Sequence, residues 1–427
     1  MFNSVTSYQL LQDIEKEDTM VLDVRPSATF NGWTLKDMNR GGHIPGAVSF
    51  PLEWFEELQI EELEEKLDAK ISGRSHVIIT GFSGKDAEKA GQLLTKLGFD
   101  NVTLHNPGMK EYSLEPGLPL DHLPGYRKLV PAVWLDLLLK NRIQEEQIDY
   151  YVLAHVNFDN WGDYDKGHIP GAIWLDTLDL ESEEDWNRRS PQELEKELCN
   201  HGITKDTTVI LYGRTSNPNM SQEHPGKQAG HLGAMRAALI LMYAGVQDVR
   251  VLDGGLDAWL RIGGAVTRKE FSPNPVKETG LNIPEHPEYI VDMPKAREMI
   301  DDSRAELVSM RSWPEYIGEV SGYHYVKQAG RISGALWGNN GSDAYHMENY
   351  RNHDDTMRSY DEIEAMWSKM GVTPDKKIAF YCGTGWRASE AFYYAWLMGY
   401  KHVSIYDGGW SEWSSEKENP VETGTPA

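Results

Sequence analysis

The residue whose surroundings most clearly indicate chemistry is Cys382, one of only two cysteines among 427 residues. It opens the segment CGTGWR, which follows the apolar run KIAFY and precedes a run typical of a helix, ASEAFYYAWLM. A loop between a strand and a helix lies where ligands gather in α/β sheets. Gly383 and Gly385 allow backbone angles that turn several N–H groups toward one point. Those groups, the helix dipole and Arg387 favour a thiolate, so the segment predicts a cysteine nucleophile.

The other cysteine, Cys199, ends a charged amphipathic helix in EKELCNHGI. No glycine-rich turn and no arginine follow it, so we expect it to be structural. Two cysteines build neither a disulfide framework nor a zinc cage. We expect the reaction at Cys382 to need no metal and no organic cofactor.

The composition indicates a globular protein of two to four domains, since 40% of its residues are hydrophobic and 25% are charged. No apolar run approaches the roughly 18 residues of a membrane span. The start of the chain lacks the basic and apolar regions of a signal peptide, so we expect a cytoplasmic protein or the mature form of an exported one. The net charge of −24 argues against a nucleic-acid partner, and an anionic substrate would need a locally positive pocket.

Three stretches of the sequence repeat one another: GGHIPGAVSF returns as KGHIPGAIWL and, more weakly, as AGRISGALWG. Each copy contains a short β-branched or apolar run, HVIIT, TVILY or KIAFY, followed by a helical pattern. This alternation predicts an α/β fold in which every copy forms a central parallel sheet flanked by helices. We place three tandem domains at residues 1–124, 125–270 and 282–427, with a Pro- and Asn-rich linker before the third.

The three copies resemble rhodanese domains, and CGTGWR resembles the active loop of the sulfurtransferases in that family. The repeated GHIPGA and the closing DGGWSEW resemble the family's two other signatures. The arrangement covers nearly the whole chain and is similar to the three-domain bacterial thiosulfate sulfurtransferases, whose catalytic cysteine lies in the last domain. The resemblance implies that Cys382 takes sulfur from thiosulfate as a persulfide and passes it to an acceptor such as a thiol or cyanide.

The resemblance also implies which residues surround the substrate. Arg387, with Arg311 as a second candidate, would hold the sulfonate of thiosulfate. The remaining loop residues would surround the transferred sulfur: Gly383, Thr384, Gly385 and Trp386. In the first two domains Gly81 and Gly213 stand in place of the cysteine, so we expect both domains to be catalytically silent. The longer loop of the second domain, 213–233, is expected to help wall the active site.

The third copy departs from the family pattern at two places. The Asp-x-Arg signature, complete as Asp23 and Arg25 in the first copy, keeps only its arginine as Arg311. Arg331 stands where the histidine of GHIPGA stands in the other copies. Both changes make the third domain more positive, which would suit a small anion, although a structural salt bridge explains either arginine equally well.

Three other functions stay open from the sequence. Cysteine phosphatases use Cys-x5-Arg, whereas Cys382 and Arg387 stand in Cys-x4-Arg, a smaller ring of amides that fits one sulfur atom better. The opening Cys-Gly-Thr-Gly is similar to that of 3-mercaptopyruvate sulfurtransferases, but Trp386 and Arg387 stand where those enzymes usually have Val-Thr. The same persulfide would also serve a carrier that receives sulfur from a cysteine desulfurase and feeds a sulfur-relay protein.

Overall fold

The β-branched runs of the three repeats form the central strands of three sheets. The computed structural model describes residues 2–35, 38–71, 73–143, 148, 150–214 and 230–426. Within these ranges each repeat contains one five-stranded parallel sheet flanked by helices, which confirms the predicted α/β fold of three tandem domains. The chain separates into two compact units, Met1–Arg127 and Lys128–Ala427, and the second unit holds two of the repeats.

The first domain is built on a sheet with the strand order β1-β5-β4-β2-β3. Its elements are β1 (Asn3–Val5), α1 (Ser7–Asp13), β2 (Thr19–Asp23), α2 (Ser27–Asn31), β3 (Val48–Ser49), α3 (Trp54–Glu57), α4 (Ile60–Ile71), β4 (His76–Thr80), α5 (Gly84–Lys96), β5 (Val102–His105) and α6 (Gly108–Tyr112). Strands β2 and β5 are buried throughout because helices cover both faces of the sheet.

The second domain repeats this order as β6-β10-β9-β7-β8. Its elements are β6 (Leu129–Val130), α7 (Ala132–Leu139), β7 (Tyr151–Asn157), α8 (Trp161–Lys166), β8 (Ile173–Asp176), α9 (Pro191–Asn200), β9 (Thr208–Tyr212), α10 (Gly230–Ala244), β10 (Asp248–Leu252) and α11 (Gly255–Arg261). Most of the loop predicted to wall the active site, residues 215–229, lies outside the described residues.

The third domain follows the same order, β11-β16-β15-β12-β14, and adds an antiparallel pair, β13-β17. Its elements are β11 (Ile290–Val291), α12 (Met293–Asp301), β12 (Ala305–Ser309), α13 (Trp313–Ile317), β13 (Arg331–Ile332), β14 (Leu336–Trp337), α14 (Tyr360–Lys369), β15 (Lys377–Tyr381), α15 (Trp386–Leu397), β16 (Val403–Tyr406), α16 (Gly409–Ser415) and β17 (Val421–Glu422). The central strands β4, β9 and β15 therefore occupy the same place in the three sheets.

The second and third domains pack through the helices that follow their central strands. Helix α10 contacts α15, and nearly every residue of both helices is buried. A helix that is apolar around most of its circumference is expected to be covered on all sides. Each of these helices has its own sheet on one side and the other helix on another. Tyr393 of α15 also donates a hydrogen bond to the Lys128 carbonyl oxygen of the second domain (2.8 Å).

Helix length and polarity also bear on membrane association. Along the described parts of the chain, no helix is both long and apolar enough to cross a bilayer.

Candidate active site

Cys382 directly follows β15, the central strand of the third sheet, and its side chain is completely buried (0% exposed). The loop after it turns at Gly385, whose φ of +88° is in the left-handed region that favours glycine. Helix α15 begins at the next residue, Trp386, and Ser389 donates its backbone N–H to the Gly385 carbonyl oxygen (2.9 Å). The thiol therefore lies at a strand-to-helix junction beside a helix N-terminus, as the sequence indicated.

The start of α16 holds the backbone of the loop from the other side. Trp410 donates its backbone N–H to the Cys382 carbonyl oxygen (2.7 Å), and Ser411 donates to the Gly383 carbonyl oxygen (3.0 Å). The approach is close because Gly409 has a φ of +54° and no side chain. A Cβ at this position would lie 2.7 Å from the Cys382 carbonyl oxygen. The glycine pair of the DGGW motif thus fixes the loop that carries the thiol.

The hydrogen bond that Trp410 donates to the carbonyl oxygen of Cys382 has a counterpart in the two domains that lack the cysteine. Met109 donates its backbone N–H to the Gly81 carbonyl oxygen (2.8 Å), and Leu256 donates to that of Gly213 (2.9 Å). Gly81 and Gly213 therefore occupy the position of Cys382 in their own domains. Since glycine has no side chain, neither of these positions offers a nucleophile.

Arg387, expected to hold an anionic substrate, is buried and paired with a carboxylate. Its two terminal nitrogens donate to Glu315 at 2.9 Å (Nη1 to Oε2) and 3.1 Å (Nη2 to Oε1). Nη1 also donates to the Asp343 carbonyl oxygen (3.1 Å), and Nη2 donates to the hydroxyl oxygen of Tyr323 (3.3 Å). Arg387 thus anchors the loop to α13 and faces Tyr323.

Arg311, the second candidate, lies on the same carboxylate. Its Nε donates to Glu315 (3.1 Å), and its terminal nitrogens donate to the carbonyl oxygens of Gly330 (2.6 Å) and Ser321 (2.8 Å). Burial alone would raise the pKa of Glu315, but Arg387 first and Arg311 second lower it to about 2. One carboxylate thus neutralises part of the charge of two buried guanidinium groups.

Arg331, which replaces a histidine of the repeat, also has a carboxylate partner. It contacts Glu422 of β17 (3.0 Å) and donates to the Gly424 carbonyl oxygen (2.7 Å). Its guanidinium lies over the ring of Tyr316. This arginine therefore joins β13 to the C-terminal strand.

Tyr323 covers the loop beside the thiol. A Cβ placed on Gly383 would collide with its ring, so the loop and the ring are in direct contact. The hydroxyl group of Tyr323 donates to the Ala344 carbonyl oxygen (2.9 Å), and the ring stacks on Tyr325 with centroids 5.2 Å apart. Burial raises the pKa of Tyr323 well above its ordinary value, against the opposing effect of Arg387. Tyr323 is therefore a neutral hydroxyl group close to the thiol.

A hairpin of the second domain, residues 181–188, reaches the active loop of the third. Its ends pair as an antiparallel bridge between Glu181 and Arg188. The Glu181 carboxylate accepts the indole N–H of Trp386, with Nε1 to oxygen distances of 2.9 and 3.1 Å. Trp186, near the tip of the hairpin, lies beside Phe158 and faces Tyr325. The second domain therefore contributes side chains next to the loop of Cys382.

These aromatic residues make a cluster at the loop, which we call the aromatic rim: Phe158, Trp186, Tyr323, Tyr325, Tyr345 and Trp386. Each ring lies within 6.3 Å of another ring of the rim, measured between centroids. Trp186, Tyr345 and Trp386 are partly exposed, and Tyr325 is 43% exposed. The thiol is thus buried beneath a surface of aromatic rings.

Cys199 lies in different surroundings, at the end of α9. It is partly exposed, and burial followed by the charge of Glu195 raises the pKa of its thiol. No group of three or more His, Cys, Asp or Glu residues within the described ranges could hold a metal ion.

The residues that sequence reasoning missed are Glu315, Tyr323 and Glu181. Glu315 had a visible signal, since Ser312 and Glu315 form the S-x-x-E pattern of a capping box at the start of α13. That pattern indicated a cap and gave no sign of the two arginines. Tyr323 lies in the aromatic segment GYHYV, and Glu181 in the acidic segment ESEEDW, neither of which has a spacing that points to Cys382.

A family model for the rhodanese-like domain matches three parts of the chain, residues 6–115, 138–262 and 292–416. The chain is 40% identical over 423 residues to the thiosulfate sulfurtransferase YnjE of Escherichia coli, a match that covers 97% of this chain and 91% of YnjE. It is 30% identical over 277 residues to the sulfur carrier protein TtuD of Thermus thermophilus, covering 61% of this chain and 87% of TtuD.

Solved structures of an ergothioneine enzyme match the entire chain. An EanB variant in complex with ergothioneine has a TM-score of 0.96 and 45% identity, with 100% of each chain covered. The anaerobic ergothioneine biosynthesis enzyme of Chlorobium limicola, in complex with its natural substrate trimethyl histidine, has a TM-score of 0.95 and 45% identity, also over 100% of each chain. Another EanB structure contains a cysteine persulfide in a tetrahedral intermediate state with ergothioneine.

Residues altered in the EanB variants can be related to this chain by their spacing. The tyrosine and the threonine replaced there stand at the same sequence separations from the persulfide cysteine as Tyr323 and Thr384 do from Cys382. Two further EanB cysteines, replaced together in one variant, fall by the same count at Ser309 and Asn340. Of the three positions that hold a cysteine in EanB, only that of Cys382 holds a cysteine in this chain.

Proposed function

The chain belongs to the rhodanese family and is a sulfurtransferase, and we propose that it transfers sulfur from a persulfide on Cys382 to the imidazole ring of trimethyl histidine. The observation that carries this proposal is the aromatic rim above a buried thiol, together with the pairing of both nearby arginines with Glu315. These features favour an acceptor that carries a quaternary ammonium group.

The rim suits a quaternary ammonium group because aromatic faces attract cations without requiring a hydrogen bond. Trimethyl histidine carries such a group next to the ring that would accept sulfur. Four rings of the rim are partly or largely exposed: Trp186, Tyr325, Tyr345 and Trp386.

The arginines give less support to a site designed for a free anion. Arg387 uses both of its terminal nitrogens on Glu315, and Arg311 uses its Nε there. A thiosulfate sulfonate would have to compete with a buried carboxylate for these donors. The role that the family resemblance implies for Arg387 and Arg311 therefore becomes that of holding Glu315 and the loop.

The proposed step balances without an external oxidant or reductant. The outer sulfur of the Cys382 persulfide forms a bond to the imidazole carbon between the two ring nitrogens, and the S–S bond breaks. The electron pair of the S–S bond goes to the Cys382 sulfur, and the proton lost from the ring carbon ends on that thiolate or in solvent. The carbon is oxidised by two electrons, and the transferred sulfur is reduced by two. The products are the Cys382 thiol and the thione of the substrate.

The residues of this chain would support the step by position and charge. Residues 383–386 lead from Cys382 into the N-terminus of α15, where backbone N–H groups would stabilise a developing thiolate. Tyr323 and Thr384 belong to the acceptor pocket in this proposal, because Tyr323 contacts the loop and Thr384 is part of it. The Tyr323 hydroxyl group donates to the Ala344 carbonyl oxygen and accepts from Arg387, so it holds the ring in place over the loop.

The test uses the full-length chain loaded with sulfur by polysulfide and then mixed with trimethyl histidine. We expect a product heavier by one sulfur atom, identified as ergothioneine by mass spectrometry, and none from Cys382→Ser. Histidine without the methyl groups is the matched control acceptor and should react far more slowly. Equal rates with both acceptors, or no thione product from the loaded enzyme, would refute the proposal.

A second candidate is transfer from thiosulfate to cyanide or a thiol, favoured by the 40% identity to YnjE across almost the whole chain. It differs in the acceptor and uses the same persulfide. Parallel loading reactions with thiosulfate, 3-mercaptopyruvate and polysulfide, followed by intact mass measurement, identify the donor. A kcat/KM for thiocyanate formation above that for thione formation would favour this candidate.

A further inference from the structure

The second domain has no nucleophile, but its hairpin 181–188 makes a specific contact with the active loop. Glu181 is fully buried and accepts hydrogen bonds from two groups, the Trp386 indole Nε1 and the Arg236 Nε (2.8 Å). Arg236 lies on α10, also in the second domain, and donates to Asp407 of the third domain (2.7 Å). Glu181 thus connects a partly exposed ring of the rim to a charged cluster buried between two domains.

The charged cluster holds Glu181 in place from several sides. Arg236 donates through Nη2 to the Trp186 carbonyl oxygen (2.9 Å), which fixes the tip of the hairpin. Asp407 also accepts from Arg188, through the backbone N–H and the side chain, each at 3.0 Å. The cluster therefore contains two arginines and two carboxylates, and each has a partner of opposite charge.

Burying this carboxylate is costly. Burial raises the pKa of Glu181 to about 7, against the opposing effect of Arg236. An indole N–H needs only one neutral acceptor, and Arg236 already has Asp407, so stability alone does not require a carboxylate at this position. What Glu181 adds is a fixed orientation of Trp386, since both of its oxygens lie within hydrogen-bond distance of the same indole nitrogen.

We infer that Glu181, supplied by the domain without a cysteine, is a positioning residue of the Cys382 site that orients the Trp386 ring toward the acceptor. The ring stands at the first turn of α15 and packs against Phe158 with centroids 6.0 Å apart, so the second domain holds it from two directions. The inference rests on the proposed function for the identity of the acceptor. The coupling between Glu181 and Trp386 is independent of the proposed function.

The kinetic test compares Glu181→Ala, Glu181→Gln, Trp386→Phe and the double variant Glu181→Ala/Trp386→Phe in the full-length chain. Glu183→Ala, in the exposed part of the same hairpin, is the control. We expect Glu181→Ala to raise the KM for trimethyl histidine about tenfold or more, the size expected for losing a hydrogen bond to a charged acceptor. Loading of Cys382 with sulfur from polysulfide should stay within about twofold of the wild-type rate, since the thiol loop keeps its own hydrogen bonds.

The remaining variants distinguish a positioning role of Glu181 from a purely structural one. Glutamine keeps one of the two oxygens that lie near the indole N–H and loses the charge that faces Arg236, so Glu181→Gln should bring the KM part of the way back to the wild-type value. If Glu181 served only to neutralise Arg236, Gln would be as damaging as Ala. The double variant should be no worse than the more damaging of its two parent variants, because both single changes break the same hydrogen bond. Three results would each overturn the inference. They are a double variant whose rise in KM is the product of the two single rises, a Glu181→Gln variant whose KM is as high as that of Glu181→Ala, and an unchanged KM in Glu181→Ala.

A spectroscopic readout keeps this test independent of the acceptor. The indole N–H resonance of Trp386, identified by its loss in Trp386→Phe, should move upfield in Glu181→Ala and stay near its wild-type position in Glu183→Ala. If the wild-type enzyme fails to convert trimethyl histidine while this resonance responds as expected, the proposed function fails and the Glu181–Trp386 coupling stands. A resonance that does not move in Glu181→Ala would overturn the coupling whatever the acceptor is.

Discussion

In our proposal, sulfur transfer depends on a single atom, the sulfur of Cys382, because Gly81 and Gly213 occupy the same position in the other two domains. We expect Cys382→Ser to reduce sulfur transfer to background, since an alcohol does not carry a persulfide at neutral pH. Cys199→Ser should retain the wild-type rate. Intact mass after exposure to polysulfide checks both, and a wild-type sulfur load on Cys382→Ser would show that another group carries the sulfur.

Glu315 is the residue on which the arginines of the site depend. It pairs with Arg387 and Arg311, so Glu315→Gln leaves two buried guanidinium groups with less opposite charge. Removing one partner of a buried ion pair typically costs about 3–5 kcal/mol. Because Gln keeps part of the hydrogen bonding, we expect a loss of about 3 kcal/mol in the free energy of unfolding, measured with urea at neutral pH. The exposed Glu418→Gln, as a control, should change it little.

The same carboxylate predicts how stability depends on pH. The pKa of Glu315 falls from an ordinary 4.5 to about 2 in the folded protein, as burial is outweighed by Arg387 and Arg311. A carboxylate whose pKa is lower in the folded protein stabilises the fold. This contribution is fully present above the pKa of the unfolded chain and is lost as the pH falls through the pKa of the folded protein. The stability difference between wild type and Glu315→Gln should therefore be constant above about pH 5 and shrink as the pH falls from there. A difference that stays constant down to pH 3 would contradict the assignment.

At the scale of elements, the sequence predicted features that depend on neighbouring residues but not the contacts between residues far apart along the chain. The central strands, the helix after Cys382 and the three repeats follow from periodicity and repetition, which depend on neighbouring residues. The pairing of Glu315 with Arg387 spans 72 residues, and that of Glu181 with Trp386 spans 205. Such pairs depend on how elements pack, and one sequence carries no pattern for them. The loop 213–233, predicted to help wall the site, lies mostly outside the described residues and stays a prediction. The contact of the hairpin 181–188 with the active loop had no signal in the sequence.

The start of α16 is the element that holds the active loop, and Gly409 tests its role. Gly409→Ala puts a Cβ 2.7 Å from the Cys382 carbonyl oxygen at a φ of +54°, so the loop or the helix must move. We expect at least a tenfold loss of kcat/KM for sulfur transfer, about 1.4 kcal/mol of transition-state stabilisation. Gly334→Ala is the matched control, because its φ is +75° and a Cβ there meets no atom within 4 Å. It should cost only about 1 kcal/mol of stability and leave kcat/KM unchanged. Equal kinetic effects of the two variants would mean that backbone strain, rather than the loop contact, is responsible.

The whole molecule uses one fold three times and places chemistry in one copy. We infer that the second copy supports the active site of the third through α10, the hairpin 181–188 and the charged cluster of Arg236 and Asp407. Its lack of a nucleophile is compatible with this role, because the contacts it makes come from its surface rather than from the position of Gly213. The second and third domains lie in one compact unit, Lys128–Ala427.

This organisation predicts which truncations are tolerated. A chain of residues 128–427 keeps one compact unit complete, so it should fold and accept sulfur on Cys382. A chain of residues 282–427 loses α10 and uncovers part of α15, including the fully buried Tyr393, which donates to the Lys128 carbonyl oxygen. Exposing large apolar side chains costs about 1.5–3 kcal/mol each, and a few of them approach the 5–15 kcal/mol that stabilises a typical domain. The shorter chain should therefore be unfolded or aggregated by circular dichroism and size-exclusion chromatography. If it were instead a folded monomer with the wild-type rate of thione formation, the second domain would have no part in the active site.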